Sequence, residues 1–340
     1  MTLLFMDGFD HYPTSHLVEK GWITPSGTPI VDPTGGENGE GCVKLDYLDY
    51  LRYSIGNISG KRFTLGFATY WDAMPNSAQR TMFHARNDSG GSYVNMNVGS
   101  TGIVYLWNNG VPGQIYESSA GFFTTGKWYY IEMQIEFWNN SGGHISMHWD
   151  GVTIYDGTYD NVWTGSSNYN YFEFRGSANG VQRIDHVYIL DEDGTKNNDY
   201  LGPSRVDTVL PNAAGNYAQM DAKGQTDNYD CVNEASLDES DFVHGVANGE
   251  KDSYSFPSLP SEVNPTISGI QVNMSAKKNT PDTIQARSLI RKGGSDYFGS
   301  SQALDNGVTK IKKQIQETDP SDASDWNKSK IEACEFGVDT

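Results

Sequence analysis

An all-β chain folded as two β-sandwich domains is what this sequence predicts, and three observations predict it. Glycine occurs 37 times beside an aromatic content of 12%, a mixture suited to many strands joined by tight turns. Apolar and polar residues alternate with period 2 through much of the chain up to Leu190. The length of 340 residues exceeds what one hydrophobic core usually holds, so two domains of ordinary size follow.

The elements can be justified in order. Alternation is clearest at 63–71, 127–138, 144–150 and 181–190, each long enough for a strand. Within 127–138 the odd positions Tyr129, Ile131, Met133, Ile135 and Phe137 are apolar and predict a core face. The even positions Trp128, Tyr130, Glu132, Gln134, Glu136 and Trp138 predict a solvent face. Asn109-Gly110, Asn140-Ser-Gly-Gly143, Asp150-Gly151 and Asp156-Gly157 read as turns. Residues 191–205 turn polar and contain Gly202-Pro203. The expected division is therefore a first domain at 1–195, a linker at 196–205 and a second, smaller β-sandwich at 206–340. Beyond it, 266–276 and 282–291 read as antiparallel strands. Val308, Ile311 and Ile315 have helical spacing, but the Lys and Gln residues between them suit an edge strand, which is the reading adopted.

The formal net charge of −19 and the pI of about 4.6 oppose binding to nucleic acid or anionic membrane. Cys42, Cys231 and Cys334 show no paired spacing and read as buried free thiols, with a Cys231–Cys334 bridge as the alternative. The N-terminal residues carry no basic region followed by an apolar run, and no stretch approaches a membrane span. Synthesis in the cytoplasm without an export signal and without membrane insertion is the expectation.

Four segments carry a resemblance: Leu3-Leu-Phe-Met-Asp-Gly-Phe9, Gly126-Lys-Trp-Tyr-Tyr-Ile-Glu-Met133, Ile145-Ser-Met-His-Trp-Asp-Gly-Val152 and Ile184-Asp-His-Val-Tyr-Ile189. Together they resemble the concanavalin A-like, or laminin-G-like, jelly roll over residues 1–195. Ile184 to Gly194, Asn198-Asp-Tyr-Leu-Gly202, Glu317-Thr-Asp-Pro320, Trp326 and Phe336-Gly-Val338 extend this to a family of phage virion structural proteins in which such a domain precedes a small sandwich. The resemblance implies a virion location, contacts with other capsid or tail proteins, and a homo-oligomer, with a trimer by analogy. By the same analogy Asp7, Asp10 and Asp185 converge where the first and last strands run together, and their oxygens suit a structural calcium. No cofactor is required.

Glycan hydrolases of this fold use a Glu-x-Asp-x-Glu strand, which is missing. In Glu132-Met-Gln-Ile-Glu136 the central acid is Gln134, and the two carboxylates stand about 13 Å apart on a ~3.3 Å rise, too far for glycoside hydrolysis. No nucleophile elbow, zinc-protease helix, phosphate loop or dinucleotide fingerprint occurs. His144 and His148 read as a surface pair. Tyr105 and Trp107, and the face carrying Trp128, Tyr130, Glu132 and Gln134, have the chemistry of a sugar platform. Cross-strand packing accounts for the same residues and is the commoner use.

The expectation is thus a non-enzymatic surface protein of a phage particle, decorating the capsid or belonging to the tail and able to hold host glycan. The alternatives are a tail receptor lectin and, opposed by the missing acid motif, a polysaccharide depolymerase.

Overall fold

The computed structural model describes residues 2–56, 62–76, 79–86, 92–108, 113–136, 143–159, 171–176, 179–259 and 265–340. The expected Asn109-Gly110 turn, Phe137, Trp138 and Asn140-Ser-Gly142 lie outside the described residues. The chain forms two compact units, Met1–Val206 and Asp207–Thr340. The stretch 196–205, expected to be a linker, belongs to the first.

The first unit holds β1 (Leu3–Asp7), β2 (Trp22–Ser26), β3 (Ile30–Asp32), β4 (Cys42–Leu45), β5 (Tyr50–Ser54), β6 (Arg62–Trp71), β7 (Arg80–Arg86) and β8 (Ser92–Val98). It continues with β9 (Val104–Asn108), β10 (Gly113–Glu117), β11 (Trp128–Glu136), β12 (Gly143–Trp149), β13 (Val152–Tyr159), β14 (Tyr171–Arg175) and β15 (Gln182–Asp191). One sheet runs β13-β12-β11-β6-β15-β4-β3, with β1 also paired to β15; the other runs β10-β9-β8-β7-β14-β5-β2. All their pairings are antiparallel, so the all-β sandwich read from the sequence is the fold. Asp150 and Gly151 take positive φ and close the β12–β13 hairpin as the two-residue turn their types favour. Asp156-Gly157, by contrast, lies inside β13 and makes no turn.

The core sits between the two sheets and is aromatic. Phe67 of β6 meets Phe174 of β14 edge-on at 4.9 Å and Phe83 of β7 at 6.2 Å, while Phe5 stacks on Tyr53 at 4.0 Å. Tyr129, Ile131, Met133 and Ile135 of β11 are buried in it, as their alternation predicts. Burial of such side chains is the main stabilising term, at roughly 1.5–3 kcal/mol each.

The other face of β11 departs from expectation. Glu132 is 1% exposed, and Tyr130 and Gln134 are also buried, because 199–206 folds back over them. Tyr188 reaches across Gly66, where a Cβ would stand 2.1 Å from its ring, and donates its hydroxyl to Glu132 Oε1. The same oxygen accepts from the Gly202 amide at 2.9 Å, and Tyr200 stacks on His148 at 3.7 Å. A polar sheet face is solvated only if no later segment covers it.

The second unit holds β16 (Ala213–Ala218), β17 (Asp221–Lys223), β18 (Phe242–His244), β19 (Lys251–Ser255), β20 (Ile270–Ala276), β21 (Gln285–Lys292), β22 (Ser295–Phe298), β23 (Gln302–Ala303), β24 (Lys310–Gln316) and β25 (Cys334–Asp339). Its main sheet runs β16-β19-β25-β21-β22, with β23 on β21; β17 pairs β18, and β20 pairs β24. The segment around Ile311 and Ile315 is a strand. The expected strands at 266–276 and 282–291 form but pair with other partners, β24 and β25, rather than with each other. One of this unit's hydrophobic clusters packs Ile290, Trp326 and Cys334 together. Buried acids are matched by donors: Asp252 accepts from the Gln219 and Met220 amides, Asn228 and Tyr254. The three cysteines are buried and free.

Candidate active site on the outer face of the second sheet

The strands of the second sheet also alternate, apart from register shifts in β7 between Thr81 and Phe83 and between Ala85 and Arg86, and most of their polar positions point away from the core. Cross-strand register places Arg52 (β5) opposite Glu173 (β14), Glu173 opposite His84 (β7), His84 opposite Asn95 (β8), and Asn95 opposite Trp107 (β9). Direct partners in antiparallel strands share a face with Cβ atoms about 5 Å apart, so these five side chains form one continuous row. Their chain neighbours Leu51, Phe172, Phe174, Phe83, Ala85, Val94, Met96 and Leu106 are buried in the sandwich, which fixes the outward orientation of the row.

Glu173 anchors it at 0% exposure. Arg52 donates through Nε, Arg175 through Nε at 2.5 Å and Arg86 through Nη1 at 3.0 Å. Burial alone would raise the carboxyl pKa, but the three guanidiniums outweigh it and hold Glu173 below the ordinary carboxylate range. Arg52 lies over the Tyr171 ring at 5.6 Å and Arg175 over Tyr50 at 4.4 Å, which fixes their planes. His84 is 5% exposed. Its burial, then the charges of Arg175, Arg86 and Arg52, push its pKa well below 6.5, so the imidazole is neutral at physiological pH. At the far end Gln79 Oε1 accepts from Trp107 Nε1 at 3.0 Å and from Asn97 Nδ2 at 3.2 Å.

The arrangement constrains the chemistry. Among the described residues Glu173 is the only carboxylate of the row, and it stays ionised. A raised-pKa acid paired with a second carboxylate, which glycoside hydrolysis needs, is not formed in this row. Instead, cationic donors stand beside a neutral base, suited to holding an anionic group and removing a proton next to it.

Of the sugar-platform candidates, Trp107 stands in this row and Tyr105 lies two positions away on the same face, both half-buried. Trp128, Tyr130, Glu132 and Gln134 lie on the outer face of the other sheet, where Tyr130, Glu132 and Gln134 are closed off as described above. His144 accepts or donates to Asp156 at 2.7 Å, depending on its tautomer. Of the acids expected to share calcium, Asp7 is committed elsewhere: Tyr12 Oη and Trp22 Nε1 donate to it at 2.6 and 2.7 Å, and the buried Lys20 lies 3.9 Å away. Asp185 accepts from the His186 and Glu37 amides at 2.6 and 3.0 Å, and Asp10 from Gly41 at 2.6 Å. No group of three His, Cys, Asp or Glu residues able to hold a metal occurs among the described residues. The expected Asp7–Asp10–Asp185 set therefore does not assemble as one ligand cluster.

Sequence reasoning missed Arg52, His84, Asn95 and Glu173. The signal was present in Tyr50-Leu-Arg-Tyr-Ser54, Phe83-His-Ala-Arg86 and Tyr171-Phe-Glu-Phe-Arg175. Each alternates apolar residues with residues that carry chemistry, yet none matches a linear motif, because the row is assembled across strands.

No family model and no curated protein matches the chain. Similar solved structures include an endo-β-1,4-glucuronan lyase from the fungus Trichoderma reesei, 12% identical, covering 57% of this chain and 100% of that one at a TM-score of 0.43. Domain 4 of a GH43 extracellular arabinanase from Geobacillus stearothermophilus is 16% identical, covering 56% and 92% at 0.38. A carbohydrate esterase of Shiga toxin-encoding bacteriophage phi24B is 15% identical, covering 55% and 99% at 0.38. At these values the likeness is one of all-β sandwich fold alone. The expectation of a non-enzymatic virion structural protein is nevertheless corrected: these similar structures are carbohydrate-processing proteins, with glucuronan and alginate lyases among them.

Proposed function

We propose that the first unit is a carbohydrate-processing enzyme that binds acidic polysaccharide on the outer face of its second sheet and cleaves it by β-elimination. The observation that carries this is the row Arg52–Glu173–His84–Asn95–Trp107, a cationic, aromatic and neutral-base face on a chain whose formal net charge is −19.

Arg52 and Arg175 each reach Glu173 through Nε, and among the described residues no hydrogen bond engages their terminal nitrogens, so both forks can meet a second anion. A uronate carboxylate held there has its charge offset, which acidifies the adjacent C–H. Neutral His84 takes that proton, the electron pair forms the ring double bond, and the glycosidic C–O bond breaks. The leaving sugar oxygen is protonated from water. Trp107 and Tyr105 supply rings against which sugars lie.

The test is incubation of the protein with uronate polysaccharides, following the ultraviolet absorbance of the unsaturated uronate product. Product that disappears with His84→Gln, and affinity that falls with Arg175→Ala, support the proposal. The slight exposure of His84 favours one second reading, a face that binds without cleaving. Affinity lost in Arg175→Ala with no product from the wild type would establish that reading, and no affinity for any acidic glycan would remove both.

A further inference from the structure

Charge along the proposed face is distributed by strand. Arg52, Arg175 and Arg86 come from β5, β14 and β7; the remaining arginine of these strands, Arg80, lies over the Tyr47 ring at 5.6 Å. The next three strands read Ser92-Tyr-Val-Asn-Met-Asn-Val98, Val104-Tyr-Leu-Trp-Asn108 and Gly113-Gln-Ile-Tyr-Glu117. They contain no lysine or arginine, and their only carboxylate is Glu117, opposite Tyr105. Among the described residues, what faces outward there is the Trp107 indole, the Tyr105 ring, amides and Glu117.

The indole is held for use. Gln79 takes its N–H at 3.0 Å and fixes Asn97 with the same oxygen, so the edge of Trp107 is anchored. No aromatic ring stacks on its face among the described residues. Asn95 Oδ1 and Asn97 Oδ1, beside it, are buried acceptors without a hydrogen-bond donor among the described residues. The two amides carry no charge, so this half suits a neutral sugar and offers a carboxylate no cation.

Trp107 lies two strands beyond His84, about 10 Å at ~4.8 Å per strand, within reach of neighbouring sugars of one chain. A chain of uronates alone would set its second carboxylate on this uncharged half, toward Glu117, where the strands supply no cation to offset its desolvation. Resting on the acidic-glycan reading above, we infer that the ligand is a mixed chain, in which an acidic sugar on the arginine half is followed by a neutral sugar stacked on Trp107.

Two groups of oligosaccharides matched in length test this with the whole protein. The mixed group is hyaluronan, chondroitin and heparosan fragments, in which glucuronate alternates with an N-acetylated neutral sugar; the other is oligoguluronate, oligogalacturonate and oligoglucuronate. The best mixed ligand is expected to bind about tenfold more tightly than the best homouronate, roughly the effect of one good contact. Trp107→Ala should abolish that preference by weakening the mixed ligand alone, and Arg175→Ala should weaken both groups. Homouronates binding as well as or better than mixed chains overturns the inference while leaving the acidic-glycan reading intact. Mixed-chain preference that survives Trp107→Ala overturns it as well. Binding of neither group removes the acidic-glycan reading itself, and this inference with it.

Discussion

The two outer faces of the first unit carry nearly the same row and put it to different uses. On one, Tyr188, Gly66, Glu132 and His148 stand opposite one another across β15, β6, β11 and β12. On the other, Arg52, Glu173, His84 and Asn95 do so across β5, β14, β7 and β8. Each row has a fully buried glutamate at its centre and a histidine beside it. Glu132 is satisfied by a tyrosine hydroxyl and a backbone amide from the covering segment, while Glu173 is satisfied by three guanidiniums. A buried acid therefore says little about function by itself. What balances it decides whether the face is closed into the fold or left able to meet an anion.

The sharpest way to break the comparison is to remove the acid of the second row. Glu173→Ala strips the shared partner from Arg52, Arg86 and Arg175, and loss of one member of a buried ionic cluster costs about 3–5 kcal/mol. Chemical denaturation should show a loss of that order. A loss below about 1 kcal/mol would mean the arginines re-solvate freely and the cluster is not a packed anchor.

Acid acts on both rows and next in size. On the covered side, burial and then the Arg205 charge push His186 down to about 4 from 6.5, and its Nδ1 accepts the Val206 amide at 3.3 Å. A histidine with a lowered folded pKa contributes stability that is present above 6.5 and lost as pH falls from there through about 4. At its full extent this lowering corresponds to roughly 3 kcal/mol. His84, also lowered by burial and then by three arginines, acts in the same direction. Denaturation midpoints measured across that pH range should fall, and His186→Asn should flatten the fall. An unchanged slope in that variant would assign the acid sensitivity to His84 or to other groups.

The sandwich itself was legible because alternation is local: the core positions of β11 follow from eight consecutive letters. The closing of its other face was not, because it depends on Tyr188, Tyr200 and Gly202, more than fifty positions downstream, and on a missing side chain at Gly66. The candidate site was hidden for a related reason. Its residues come from five strands between Tyr50 and Arg175, and only register sets Arg52, Glu173 and His84 side by side. Trp107 was visible as an aromatic followed by two asparagines, but nothing local separated it from Trp128 until burial and covering were known.

Gly66→Ala gives the smallest and most selective effect. The added Cβ would stand 2.1 Å from Tyr188 Cε1 and 2.5 Å from Cζ, closer than packed atoms come, so the ring must tilt away from β6. Overpacking of this kind costs about 1–3 kcal/mol. The tilt would draw the hydroxyl off Glu132 and off the Leu201 amide, which donates to it at 3.3 Å, loosening the cover over β11. Hydrogen exchange at Leu201 and Gly202 should therefore quicken, while exchange along β7 and β14 stays as in the wild type. Because Gly66 packs against the covered face, acidic-glycan affinity should not change. If affinity fell together with protection at Gly202, the two faces would be coupled through β6 and β15, and the division between a structural row and a binding row would fail.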